Sequence, residues 1–152
     1  MRTETCILTY SGRVINLLSP DPADISLYDI AEGFAKLCRY NGHVQSFYSQ
    51  AQHSCLVYNQ LAMDAKPYGL LYEAHQAYFG HLIKPVKASL AARNHFEIWE
   101  ELAEPMKAAI HMAVGLKYPP HPKDIQLIEE KKQMIGASEK RDLLPHYRMS
   151  EA

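Results

Sequence analysis

No stretch of this chain comes near the ~20 consecutive apolar residues that a membrane-spanning helix needs. The N-terminus, MRTETCILTY, also lacks the extended apolar region of a secretory signal. Cysteine is scarce. Cys6, Cys38 and Cys55 leave one thiol over in any disulfide scheme and show no zinc-type spacing, so a reduced, cytoplasmic protein is expected. An excess of charge of one sign is missing too. A net charge of −1 provides no basic field to draw the chain to nucleic acid or to an anionic membrane. Gly-rich phosphate loops, Cys/His nucleophile arrangements, internal repeats and low-complexity tracts are absent.

What is present suits a globular protein. The 152 residues are 47% apolar and 22% charged, enough for one domain with a substantial core. The eight histidines and ten tyrosines fall mostly between Tyr40 and His81. Residues 5–16, TCILTYSGRVIN, alternate in part around Ser11-Gly12 and predict a β-hairpin within residues 1–18. Ser19–Asp24 is a Pro-rich connector. Ser26 with Asp29 reads as a capping-box-like start to a helix whose inner face is Ile30, Phe34, Leu37 and Cys38, stopping before Asn41-Gly42. Ser46 can cap a second helix, with Phe47, Ala51, Leu56 and Val57 inward and His53 at its middle, fading near Met63.

The stretch Leu70–Lys87, LLYEAHQAYFGHLIKPVK, organises the rest. Pro67 suits a first helical turn, and Gly80 suits the left-handed position past a helix end. Leu70, Leu71, Ala74, Ala77 and Tyr78 make an apolar stripe. A Pro-containing turn is expected at Lys84-Pro85-Val86-Lys87. A long helix is predicted over Leu90–Val114, with Phe96, Trp99, Leu102, Met106, Ile110 and Val114 on one face and a kink or division at Pro105. KYPPHP connects it to a last helix, Asp124–Ser138, with Ile125, Ile128 and Ile135 inward. The tail 145–152 is expected to be mobile. The expected fold is all-α: one domain over 1–152, five to six helices and a small N-terminal hairpin.

Taken by themselves, the polar residues support a bland reading. His53 among Ala51, Cys55 and Leu56 is either a satisfied core histidine or a ligand. Arg39 complements a helix C-terminus. Glu73 and Gln76 are three apart and share a helical face, with His75 pointing elsewhere and His81 beyond the helix end; a solvated polar face accounts for them as well as a site does.

Three segments together, DIAEGFAKLCRYNGH (29–43), FYSQAQHS (47–54) and LLYEAHQAYFGHLIKPVK, resemble the HD-domain phosphohydrolases. The likeness is to the branch of small bacterial and phage 5'-deoxynucleotidase-like proteins. The ending Ala137-Ser138-Glu139-Lys140-Arg141-Asp142-Leu143 and the opening SGRVINLLSP fit the same pattern, so the likeness runs from about Thr9 to Leu144. It implies an HD-type helical bundle with a divalent-metal site, a water-activating Glu and a phosphate-holding Arg. Residue by residue, the early metal-binding His is His53 and the phosphate Arg is Arg39; both are retained. The His-Asp pair of the family is here Tyr72-Glu73, and the activating Glu is Gln76. The Asp following the family's Gly is His81, and the last metal-binding Asp falls near Lys132, beside Glu129 and Glu130.

These departures have chemical consequences. Phenol is a poor ligand beside imidazole and carboxylate, and an amide cannot accept the proton that general-base activation of water requires. An ammonium at Lys132 would pair with Glu73 and stand in for the ion. The expected function is therefore that of a phosphohydrolase-like protein binding a nucleotide or another small phosphorylated ligand, with metal-dependent hydrolysis lost. Arg39, His43 and Lys84 are expected to bind the phosphate. His53, Tyr72, Glu73 and Lys132 would mark the former metal site, and Glu73 and Gln76 the former acid/base region. No metal is expected. The alternative is a metal-dependent nucleoside 5'-monophosphate phosphohydrolase with a rebuilt set, His53, Glu73 and His81 or His75, holding Mn, Co, Zn or Mg. A third reading is a protein-interaction module. The branch suggests a phage or prophage setting and a homodimer; nucleic acid and membrane are not expected partners.

Overall fold

The computed structural model of the chain describes residues 3–147. Most of them are helical, and a two-stranded antiparallel hairpin lies at the N-terminus. Strands β1 (Cys6–Leu8) and β2 (Val14–Asn16) pair with Ile7 opposite Ile15. The helices are α1 (Leu27–Lys36), α2 (Gln50–Asn59), α3 (Lys66–Leu71), the four-residue α4 (Gln76–Phe79), α5 (Lys84–Ala91), α6 (Phe96–Ala113) and α7 (Pro122–Leu143). Helix α2 packs on α1, α3 and α7, α1 packs on α4, and α5 packs on α6. Among the described residues no helix is long and apolar enough to cross a membrane. The expected mobile tail lies mainly outside the described residues, which reach only to Tyr147.

Two apolar clusters hold these elements. One joins Ile15, Ile25, Ile30, Phe34, Ala74, Tyr78, Met106, Ala109 and Ile110. The other joins Val57, Leu61, Ala65, Ile128 and Ile135, so that α7 closes on α2 and α3. Met106, Ile110 and Ile128 are almost entirely removed from water, each worth roughly 1.5–3 kcal/mol of apolar burial.

Several local expectations are revised by competing hydrogen bonds. Ser26 does cap α1 by position, but no side-chain bond forms there. Asp29 instead accepts from the Ser11 amide and hydroxyl at 2.8 and 2.7 Å, which ties the hairpin to the helix. Helix α2 is capped by Ser49, not Ser46. Ser49 Oγ accepts from the Gln52 amide at 3.1 Å, and Gln52 Oε1 accepts from the Ser49 amide at 2.9 Å. The reciprocal box needs an amide or carboxylate side chain three residues after the cap; Ser49 has Gln52 there, whereas Ser46 has only Ser49. The later start leaves Phe47 outside the helix and 61% exposed; Leu56 points outward, and Val57 alone of the expected stripe is deeply buried.

The stretch expected to be one helix up to Gly80 is broken at residues 72–75. There the amides of Ala74, Gln76, Ala77 and Tyr78 each bond the carbonyl three residues back, a tighter turn than the α-helical one. Gly80, at φ 83°, does end the segment. Lys84-Pro85-Val86-Lys87 is not a turn but the opening of α5, with Pro85 in the first turn where its missing N–H is harmless. The expected 90–114 helix divides at 92–95, where Asn94 adopts φ 58°, while α6 runs undivided through Pro105. Helix α7 is longer than expected at both ends, its N-terminus capped by His121, whose ring accepts from the Lys123 amide.

Candidate functional site

Helix α7 places Lys132 and Glu139 seven residues apart, two turns along one face. Helix α2 presents Gln50 and His53 one turn apart on the facing side. An extended segment carries Arg39 between them: its amide bonds Tyr48 O at 3.0 Å, and the amide of Gln50 bonds Leu37 O at 2.8 Å. The tight turn at 72–75 supplies Glu73. Four separated parts of the chain thus converge on a line of buried charge.

Glu139 is its centre. One carboxylate oxygen accepts from Tyr48 Oη at 2.8 Å and lies 2.5 Å from His53 Nδ1. The other accepts from Tyr40 Oη at 2.7 Å and from Arg39 Nε at 3.2 Å, with Arg39 Nη2 at 3.1 Å. Burial alone would raise this carboxyl's pKa. The His53 bond and the Arg39 charge outweigh burial and hold it at about 2. The same burial, with the Glu139 bond, pushes the Tyr40 phenol up to about 12 and the Tyr48 phenol higher still, so both are donors. An ionised carboxylate only accepts, which assigns the shared proton to His53 Nδ1.

The line continues through Gln50. Its Oε1 accepts from Arg39 Nη1 at 2.9 Å, and its Nε2 donates to Glu73 at 2.8 Å. Lys132 Nζ lies 3.1 Å from Glu73 and 3.1 Å from Glu129, and 4.6 Å from the centre of the Tyr72 ring, a cation–π distance. Burial would raise the Glu73 pKa; Lys132, then His53 and Arg39, drive it far below the usual carboxylate range.

The structure therefore brings together His53, Glu73, Tyr72 and Lys132, and links them to Arg39 through Gln50 and Glu139. It does not bring His43 and Lys84 into this network: both side chains are exposed, His43 ending a short turn and Lys84 opening α5. Arg39 is only 9% exposed, and its three nitrogens are taken up by Glu139 and Gln50. Gln76 is buried with Oε1 unpartnered. His81 is half-buried, and its Nδ1 is likewise unpartnered. Burial, then the Arg39 charge, lowers its pKa to about 4.

A divalent ion does not fit these donors. His53 Nε2 is free of hydrogen bonds and stands 3.9 Å from Glu73, which gives one imidazole and one carboxylate. Among the described residues no group of three or more His, Cys, Asp or Glu side chains is arranged to hold a metal. The Lys132 ammonium already sits against the carboxylate. At an effective dielectric of about 20, a unit charge and a divalent ion ~4 Å apart would repel by roughly 8 kcal/mol.

Beside Glu73 and Lys132 opens a cavity of about 340 Å³, lined by residues of the 72–75 turn, α5, α6 and α7 and by Tyr118-Pro119-Pro120. His75 lies in its wall, 7% exposed, with Nδ1 unpartnered. Burial and the charges of Lys107, Lys87 and Lys132 depress its pKa to about 3, so the ring is neutral at physiological pH.

Sequence reasoning missed Glu139, Tyr40, Tyr48 and Gln50, and missed the cavity. All four residues lie inside the motifs named above. A signal for Glu139 was available: a carboxylate one heptad after Lys132, on a helix face shared with the inward Ile128 and Ile135. Nothing in the sequence signals the cavity, whose walls come from residues far apart along the chain.

No family model matches the chain. It is similar to an uncharacterized protein of Rhodobacter capsulatus, 37% identical over 116 aligned residues that cover 70% of this chain and 56% of that protein. It is also similar to the uncharacterized protein YfdR of Escherichia coli, at 30% identity over 110 residues covering 72% of this chain and 58% of that protein. The chain spans a little over half the length of these curated relatives.

Proposed function

We propose that the chain is an HD-like helical module whose metal has been replaced by an internal ammonium, and that it binds a small phosphorylated molecule without hydrolysing it. The observation that carries this reading is Lys132 Nζ at 3.1 Å from Glu73, at the end of the buried line Arg39–Glu139–His53–Glu73. The arrangement around His53 supports it as well. A metal-binding histidine characteristically donates its other N–H to a carboxylate; His53 keeps that bond to Glu139 and leaves Nε2 facing a carboxylate and an ammonium in place of an ion. Gln76 offers no base for water.

Ligand binding on this reading belongs to the cavity, and Arg39 becomes a structural cation rather than the phosphate holder. Lys87, Lys107 and Lys132 line the cavity, and all three act on the His75 ring. The test is a panel of nucleoside 5'-monophosphates and sugar phosphates, scored by thermal shift and by release of inorganic phosphate. The module should be stabilised by at least one phosphorylated compound, unaffected by chelator, with no phosphate released. Turnover that requires a divalent ion would replace this reading with that of a metal-dependent phosphohydrolase.

A further inference from the structure

The charges in the cavity are paired in an uneven way. Lys132 lies between Glu73 and Glu129, each at 3.1 Å. Lys107 lies between Glu100 and Glu104, at 2.9 and 3.5 Å. Each of these groups holds one more carboxylate than ammonium, so each presents net negative charge. Lys87 is different: it lines the same cavity, yet its side chain has no ion pair or hydrogen bond among the described residues. His75 lines the same cavity with its Nδ1 unpartnered. Tyr118, Pro119, Pro120 and Ile125 make the less polar wall.

A bare polyanion does not match such a field. Its charge would be attracted at Lys87 and repelled by the two Glu–Lys–Glu groups, since like charge brought close in a partly dry site costs free energy. We infer that the cavity binds a dipolar ligand, one whose anionic group meets Lys87 and His75 and whose ammonium group meets the surplus carboxylates at Glu129 and Glu100. This rests on the reading above and narrows its ligand to a small phosphorylated amine. A volume of about 340 Å³ is at the small end of the ~300–1,000 Å³ found for ligand sites, which agrees with a compact molecule.

The experiment is a calorimetric titration of the full chain with O-phosphoethanolamine, inorganic phosphate, ethanolamine and adenosine monophosphate, with the His75 ring resonances followed by NMR. Phosphoethanolamine is expected to bind at least tenfold more tightly than phosphate or ethanolamine and to shift the His75 signals. Lys87→Met should weaken it at least tenfold and Glu129→Gln severalfold, with the melting temperature nearly unchanged in both. Phosphate or adenosine monophosphate binding as tightly as phosphoethanolamine would overturn the dipolar ligand and leave the phosphorylated-ligand reading standing. Ethanolamine binding as tightly would overturn the anionic subsite at Lys87. Absence of binding by all four probes would overturn the dipolar ligand, whereas the phosphorylated-ligand reading falls only if the wider panel of nucleotides and sugar phosphates fails as well.

Discussion

Replacing Glu139 by Gln removes one charge with almost no change of shape, and the cost is set by the groups that the carboxylate holds. Arg39, 9% exposed, loses its only carboxylate among the described residues. Two phenols and the His53 N–H, now served by two carboxylate oxygens, must compete for a single amide oxygen. Breaking a buried ion pair at one end costs about 3–5 kcal/mol, because the remaining charge stays desolvated and unpaired. For a chain of this size ~1 kcal/mol corresponds to roughly 2–4 °C, so the variant should melt about 6–20 °C below the parent. Glu130→Gln, on the exposed side of the same helix, is the control and should lie within about 0.5 kcal/mol. Urea denaturation followed by circular dichroism reads both, and equal slopes confirm that the same surface is exposed on unfolding. Double substitution with Arg39→Met should recover part of the loss, since the orphaned charge is then gone. A Glu139→Gln melting temperature within about 1 °C of the parent would refute the placement of Glu139 at the centre of the network.

Further outcomes rest on the same geometry. Burial holds the His75 ring near a pKa of about 3 against an ordinary 6.5, so its contribution to stability is fully present above pH 6.5 and lost progressively towards pH 3. By linkage it amounts to roughly 2 kcal/mol between pH 6.5 and 5, and a melting temperature flat over that interval would contradict its burial. Glu139, at about 2 against 4.5, adds a second loss below pH 4.5. Lys132→Met should cost about 3 kcal/mol by stranding the Glu73 charge, and Lys132→Met with Glu73→Gln should regain most of it; additivity of the two single losses in a denaturation cycle would show that they do not interact. Ser49→Ala should destabilise by about 1 kcal/mol through loss of the α2 cap, whereas Ser46→Ala should not, and thermal melts separate the two. Gly80→Ala, at φ 83°, should cost about 1–3 kcal/mol in the same assay.

The parts of the molecule that were legible in the sequence depend on neighbours within a few positions. The Ser11-Gly12 hairpin, the inward faces Ile30–Phe34 and Ile128–Ile135, the Gly80 stop and the approximate run of helices all arise from backbone sterics and helical periodicity. Where local signals competed, the outcome was decided elsewhere. Ser26-Asp29 has the spacing of a capping box, yet Asp29 bonds to Ser11 because the hairpin packs against α1 and offers two donors at once. Helix 70–80 has an unbroken apolar stripe, yet it tightens at 72–75, where Ala74 joins one core and Glu73 must turn towards Gln50 and Lys132.

The site divides in the same way. Residue types by themselves left His53, Glu73 and Lys132 unconnected; only the likeness to the HD-domain pattern set them in one constellation, and the structure brings them together. That Arg39 is spent on Glu139 rather than left open to a phosphate is a matter of tertiary structure. Its partner lies a hundred residues away, and no local pattern reveals which buried carboxylate a guanidinium will find. The cavity, and the single unpaired ammonium of Lys87 in it, are likewise set only when α5, α6 and α7 are packed. Local sequence determines which groups a chain carries and which faces they occupy; desolvation and long-range pairing, which exist only in the folded state, determine which of those groups remain free to act.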